Sequence, residues 1–300
     1  MITQNKFSLG RRTPKNHPSI KLSGILTGVA PTHPVAVDYL KKMSGWQILG
    51  NDQFGDCAAV CWANMRYFVT SMLTPQPNYP DQEQVFTIYR TQNPDFVADH
   101  NNPVEDNGMD VQTLLEYLTK NAGPDGAKLL GFALVDLTNQ DEIDAALAIF
   151  GCLFLGIEVQ DANMQDFSDG KPWDYHANSQ IDGGHAVLGG GYLGTAKDDV
   201  QFITWAKETG MTDKFWNKLV ATSGTGEAWV CIWNEYLGTE QFQQGIDLQK
   251  LSDAYKEITG RPFPVSILDP SPSPSPVVPA PEPSNNPGCS QLLTKLLGMR

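Results

Sequence analysis

The chain has 300 residues, 41% of them apolar and 10% aromatic, enough to bury a substantial core as one large domain or two ordinary ones. Acidic residues (34) outnumber basic ones (21) for a formal net charge of −13, and no stripe alternates Lys or Arg with aromatics, which argues against a nucleic-acid partner. Five scattered cysteines, an odd number, do not suggest a disulfide framework or a paired zinc motif and fit mostly free thiols in a reducing compartment.

Residues 1–45 are rich in Pro, Gly and Lys and show little periodicity, so they read as an extended N-terminal arm or a disordered leader. Met1 to Gly10 lacks an apolar stretch behind a basic start, and no run of about 18 apolar residues follows, so neither a secretory signal nor a membrane span is expected. From Asp56 the pattern changes. Ala58, Ala59, Cys61, Trp62, Met65, Phe68, Val69 and Met72 spell a nearly all-apolar helix for the core, with Asp56 available as its N-cap.

Two further helices are expected from Asp81 to Thr91 and from Asp110 to Thr119, each opened by an acidic residue. Asp141 to Phe150 reads as another helix and Cys152 to Val159 as a buried strand. His185 to Tyr192, Val200 to Trp205 and Ala228 to Tyr236 are the strongest strand candidates, and Glu240 to Thr259 has the apolar spacing of an amphipathic helix. Helices first and strands second predict an α+β domain over residues 46–264. Residues 265–287, dominated from 269 by Pro and Ser, form a linker, and 288–300 reads either as a short helical docking peptide for a protein partner or as a frayed tail.

The chemistry concentrates in two places. Gly50-Asn51-Asp52-Gln53-Phe54-Gly55-Asp56-Cys57-Ala58-Ala59 puts a cysteine where a Gly-containing loop enters the core helix, and free amides with the positive dipole end lower a thiol's pKa there. Gln53 can point its amide at the same spot as an oxyanion donor beside the Cys57 backbone amide, with Asn51 competing for that role. A helix-start cysteine alone is more often a small core residue. The second signal is Asp182-Gly183-Gly184-His185-Ala186-Val187-Leu188, where a histidine opens an apolar strand after two glycines that allow close backbone approach. Cys57 and His185, distant in sequence, fit a nucleophile and base joined by folding.

This order of residues resembles the papain-like cysteine peptidases over Trp46 to Tyr236: Gln53 and Cys57 entering a helix, a helix and Gly-led strand over Asn139 to Val159, Gly184-His185-Ala186-Val187, and Thr204-Trp205. The Gln-to-Asp-Cys run also looks like the peptidase domains of bacteriocin-exporting transporters. The Asn51-Asp52, Gly55-Asp56-Cys57 motif is similar to uncharacterised bacterial and bacteriophage proteins of the superfamily. The resemblance implies a helical N-terminal half and an antiparallel sheet or barrel in the C-terminal half, with the active site between. It also implies Cys57 as nucleophile, His185 as general acid/base and Gln53 as oxyanion donor. Asn51, Gly184 and Trp205 are candidates to line the cleft, with buried aromatic packing the default for Trp205.

Two features depart from the family. Its histidine-orienting Asn, two residues before a strand Trp, is replaced by Ile203, and Thr204 is the nearest polar substitute, although strand alternation turns those two neighbours to opposite faces. The Gln-to-Cys spacing is also shorter than in papain. Cys61-Trp62 imitates the papain Cys-Trp pair but lies a full turn inside the helix, where a core role is simpler. His100 with its acidic neighbours reads as a solvated loop, Trp173 to His176 as aromatic packing, and Gly189-Gly190-Gly191 as strand, so no metal, phosphate site or cofactor is expected.

The expected function is a cysteine peptidase or amidase acting on a peptide or protein substrate. The alternatives are an inactive structural or binding protein of the same fold, as in a phage particle or cell-surface assembly, and an acyltransferase or transglutaminase-like enzyme. A cytoplasmic or virion-associated location follows from the free thiols, the missing signal and the phage resemblance.

Overall fold

The near-continuous apolar run after Gly151 demands a strand covered on both faces, and in the computed structural model, which describes residues 7–28 and 33–264, it is the central strand of the sheet. The strands are β1 (Ile20–Lys21), β2 (Val37–Asp38), β3 (Gly131–Leu134), β4 (Leu153–Gln160), β5 (Ile181–Tyr192), β6 (Val200–Thr204), β7 (Lys207–Met211) and β8 (Glu227–Ile232). They run in the order β1-β3-β8-β4-β5-β6-β7, with β2 added to the far end of β5. All pairs are antiparallel except β1 with β3. The edges β1 and β7 do not pair, so the sheet is open and the expected barrel does not close.

The helices are α1 (Leu22–Ile25), α2 (Cys57–Leu73), α3 (Gln82–Tyr89), α4 (Val111–Lys120), α5 (Gln140–Phe150), α6 (Asp161–Ser168), α7 (Asp213–Phe215, continued by a π turn at Trp216–Ala221), α8 (Glu240–Gly245) and α9 (Leu248–Thr259). The fold is α+β and matches the expectation in class, with helices and strands more interleaved than expected. The acidic starts work as read: Asp81 closes a capping box with Gln84, and Asp110 accepts from the Thr113 amide.

Several boundaries differ. Asp56 sits at the N-cap of α2 but makes no capping bond. The strand expected to reach Tyr236 stops at Ile232, and Asn234–Tyr236 is a 3₁₀ turn. Glu240 to Thr259 is two helices, because Asp247 caps α9 afresh and Ile246 bridges to Leu26. Strand β5 begins at Ile181, and His185 is its first fully buried residue. The arm is no loose leader: β1 and β2 are strands of the sheet. The linker and C-terminal peptide proposed for 265–300 lie outside the described residues.

Helix α2 carries the site. It packs on β5, β4 and α3, and Arg66 pins its middle. That side chain, 3% exposed, donates to Asp125 and Glu235, each at 2.7 Å, and lies 4.5 Å over the Trp233 ring. A buried cation with two carboxylates and an aromatic face holds one orientation, so the register of α2 against the sheet is fixed from beneath.

Candidate active site

The loop before α2 is clamped before it reaches Cys57. The Asp106 carboxylate accepts from the Gly55 amide (2.9 and 3.2 Å) and from the Tyr89 hydroxyl (2.6 Å), which itself accepts from the Gly108 amide at 2.8 Å. Asp56 is fully buried and accepts from the Asn51 amide at 3.2 Å; burial pushes its carboxyl well above the usual carboxylate range. Cys57 opens the helix with 1% exposure. Its thiol faces the backbone amides of Ala186, next to His185, and of Gly10 in the arm.

His185 is 0% exposed, and its Nε2 meets the Thr204 hydroxyl oxygen at 2.7 Å. Thr204, read in the sequence as the nearest polar substitute for the missing Asn, is thus in hydrogen-bonding contact with the imidazole. It is the last residue of β6, so Ile203, one step earlier, faces the opposite side as alternation requires. Trp205 stacks on the imidazole, 4.8 Å between centroids at 26°. Trp205 and Ala206 form the two-residue turn between β6 and β7 with φ of +42° and +62°, a conformation that costs non-glycine residues on the order of 1–3 kcal/mol each. The strained turn holds the indole over His185. The other ring nitrogen, Nδ1, is buried with no hydrogen-bond partner.

The arm runs through this cleft. Gly10 accepts from the Met109 amide and Arg12 donates to the Met109 carbonyl, both at 2.7 Å, while Arg11 donates to the Gly184 carbonyl at 2.9 Å. The slot admits only glycine: a Cβ on Gly10 would lie 1.9 Å from the Gly55 carbonyl oxygen, and one on Gly108 would lie 2.0 Å from that of Gly10. Gly184 approaches as closely as its sequence context predicted, since a Cβ there would lie 2.4 Å from the Arg11 carbonyl oxygen. Phe7 stacks on Trp205 at 4.5 Å and meets Phe167 edge-on.

Covered this way, the pair is neutral. Burial pushes the Cys57 thiol up to about 11, with the Ala186 and Gly10 amides and Arg11 pulling the other way. Burial, with the Arg11 charge, brings His185 down to about 3. Cys61 is buried deeper in α2, and burial with the nearby Cys231, Cys152 and Cys57 pushes its thiol well up, as suits a core residue.

The structure thus places His185 against Thr204 and Trp205, sets the Cys57 thiol against the backbone amide of Ala186, the residue after His185, and runs Gly184 along the arm at Arg11. It does not bring in the side chains of Gln53 or Asn51. Gln53 is exposed, its carbonyl oxygen hydrogen-bonded to the His100 ring and its amide reaching Asp52 at 3.4 Å. Asn51 is buried and committed to Asp56. The two residues therefore separate in experiment: Asn51→Ala leaves a buried carboxyl without its donor and lowers stability by about 1–3 kcal/mol, whereas Gln53→Ala leaves the melting temperature unchanged. Thermal unfolding of both variants checks this, and equal losses would contradict it.

Sequence reasoning missed Arg11 and Glu227, of which only Glu227 left a signal, a charge abutting the apolar run Ala228 to Ile232. It grouped Asp106 with the acidic neighbours of His100 in a solvated loop, whereas Asp106 is half-buried and holds Gly55 and Tyr89. Among the described residues no group of three or more His, Cys, Asp or Glu is placed to hold a metal ion, and no helix is long and apolar enough to cross a membrane.

No protein-family model and no curated protein matches the sequence. Solved structures do. Xylellain, a cysteine protease from Xylella fastidiosa, aligns over 77% of this chain and 98% of its own with a TM-score of 0.55 at 15% identity. Procathepsin B S9 from Trypanosoma congolense aligns over 76% and 86% with a TM-score of 0.51 at 9% identity. A digestive procathepsin L 3 of Tenebrio molitor larval midgut covers 74% and 76% with a TM-score of 0.50 at 11% identity. At such identities the likeness is one of fold. The chain has the fold of the papain-like cysteine proteases.

Proposed function

We propose that the protein is a cysteine peptidase or amidase acting through an acyl-enzyme at Cys57, with His185 as general acid/base, and that its arm keeps it latent. One observation carries the reading. The 2.7 Å contact of His185 Nε2 with Thr204 leaves Nδ1 as the one free nitrogen of a buried imidazole, on the strand whose next amide faces the Cys57 thiol. With the arm out, Nδ1 takes the thiol proton and the thiolate attacks the substrate carbonyl. The Cys57 amide and Gln53, turned in from His100, stabilise the oxyanion. His185 then returns the proton to the leaving amine, and water cleaves the thioester.

A second reading, a non-catalytic binding or structural protein, draws support from the filled cleft and the raised Cys57 pKa. Digestion of a mixed peptide library, with products read by mass spectrometry, separates the two. Cys57→Ala should abolish cleavage and His185→Ala should slow it about 10²–10⁴-fold, with Thr204→Val intermediate. Full cleavage by Cys57→Ala would refute the mechanism. Transfer of the acyl group to added amines in preference to water would make it an acyltransferase.

A further inference from the structure

Beside the thiol, the Arg11 side chain leaves the arm and enters a pocket between β4 and β8. Its Nη1 donates to the Thr225 carbonyl at 2.8 Å and pairs with Glu227 Oε1 at 3.3 Å, and its Nη2 donates to the Ile157 carbonyl at 3.2 Å. Both charged side chains are almost wholly buried, 2% and 3% exposed. We propose that this pocket is the substrate-selecting subsite of the cleft and that it takes the guanidinium group of an arginine side chain from the substrate once the arm withdraws.

The pocket belongs to the sheet. Glu227 is registered opposite Gly156 in the β4–β8 ladder, and the missing side chain there makes the room. A Cβ on Gly156 would lie 2.6 Å from the Glu227 side chain and 2.8 Å from Arg11 Cδ. The Trp229 indole donates to Glu227 Oε2 at 2.7 Å and so presents Oε1 to the cavity. Two of the acceptors are backbone carbonyls of fixed segments, spaced for both terminal nitrogens of a planar fork; an ammonium point charge cannot reach them together.

The pocket also penalises vacancy. A buried carboxylate without its cation is costly, and burial already raises the Glu227 pKa while Trp229 and Arg11 lower it. When Arg11 leaves, a substrate with a neutral side chain leaves Glu227 unpaired, and one with arginine restores the pair. The arm shows what the cleft accepts: glycine at the thiol and arginine next to it.

This inference rests on the proposed peptidase reading for its meaning, but its test does not. In the full-length Arg11→Ala variant, binding of Nα-acetyl-arginine amide is measured by calorimetry against the norleucine and lysine analogues; Arg11→Met serves if the alanine variant does not fold. Arginine amide should bind about tenfold more tightly or better, and a further Glu227→Gln change should erase the preference. Equal binding of the three amides would overturn the subsite. Peptide cleavage without arginine enrichment at any fixed position would overturn it too and leave the peptidase reading standing. Selective arginine binding with no cleavage of any peptide would uphold the pocket and remove the peptidase reading.

Discussion

Gly10→Val will open the cleft and expose a reactive Cys57. A side chain at that position meets the Gly55 carbonyl within bonding distance, and both walls of the slot are backbone, so the arm must leave. Its loss removes the Phe7 stack and the hydrogen bonds at Met109 and Gly184 but none of the eight strands. With water admitted, desolvation no longer holds the thiol near 11, and the helix start and the imidazole favour the thiolate. Iodoacetamide at pH 7, with sites read by mass spectrometry, should label Cys57 at least about 10²-fold faster in this variant than in the wild type. Adding His185→Ala should return Cys57 to an ordinary thiol profile that rises only above pH 8. An opened cleft whose Cys57 already titrates as an ordinary thiol would favour the binding-protein reading. Truncation to Trp46 is the poorer experiment, because it also removes β1 and β2 from the sheet.

What was legible in the sequence was local. Asp81 and Asp110 announce their helices because capping bonds span three residues, and Cys57 and His185 stand out because each marks the boundary of an apolar run. What was not legible depends on distant partners. Strand β3 has four residues and exists because β1 and β8 pair with it, and β7, Lys207–Met211, is too polar to announce itself without β6. Thr204 was doubted on alternation alone; its position as the last residue before a left-handed turn brings its hydroxyl onto His185. The arm has no period because its contacts, at Gly55, Met109, Gly184 and Glu227, follow no helix or strand rule.

Acid will loosen the arm. His185 sits near 3 in the closed cleft because it is buried and faces the Arg11 charge, whereas in an open cleft it returns toward the ordinary value of about 6.5. The open state therefore binds more protons between those limits, and by linkage the closed state is fully favoured above about pH 6.5 and loses its advantage as pH falls toward 3. From pH 6.5 to 4.5 the His185 contribution alone is about 2.3 kcal/mol, about fiftyfold in the ratio of open to closed. Hydrogen exchange at the Arg11, Arg12 and Met109 amides, normalised to unfolded-chain rates at each pH, reads the opening directly. Protection should fall steeply between pH 6.5 and 4.5 in the wild type and less steeply in His185→Gln. Protection that holds constant across that range would mean that the His185 proton is not coupled to the arm, and latency would then have to be relieved by cutting it.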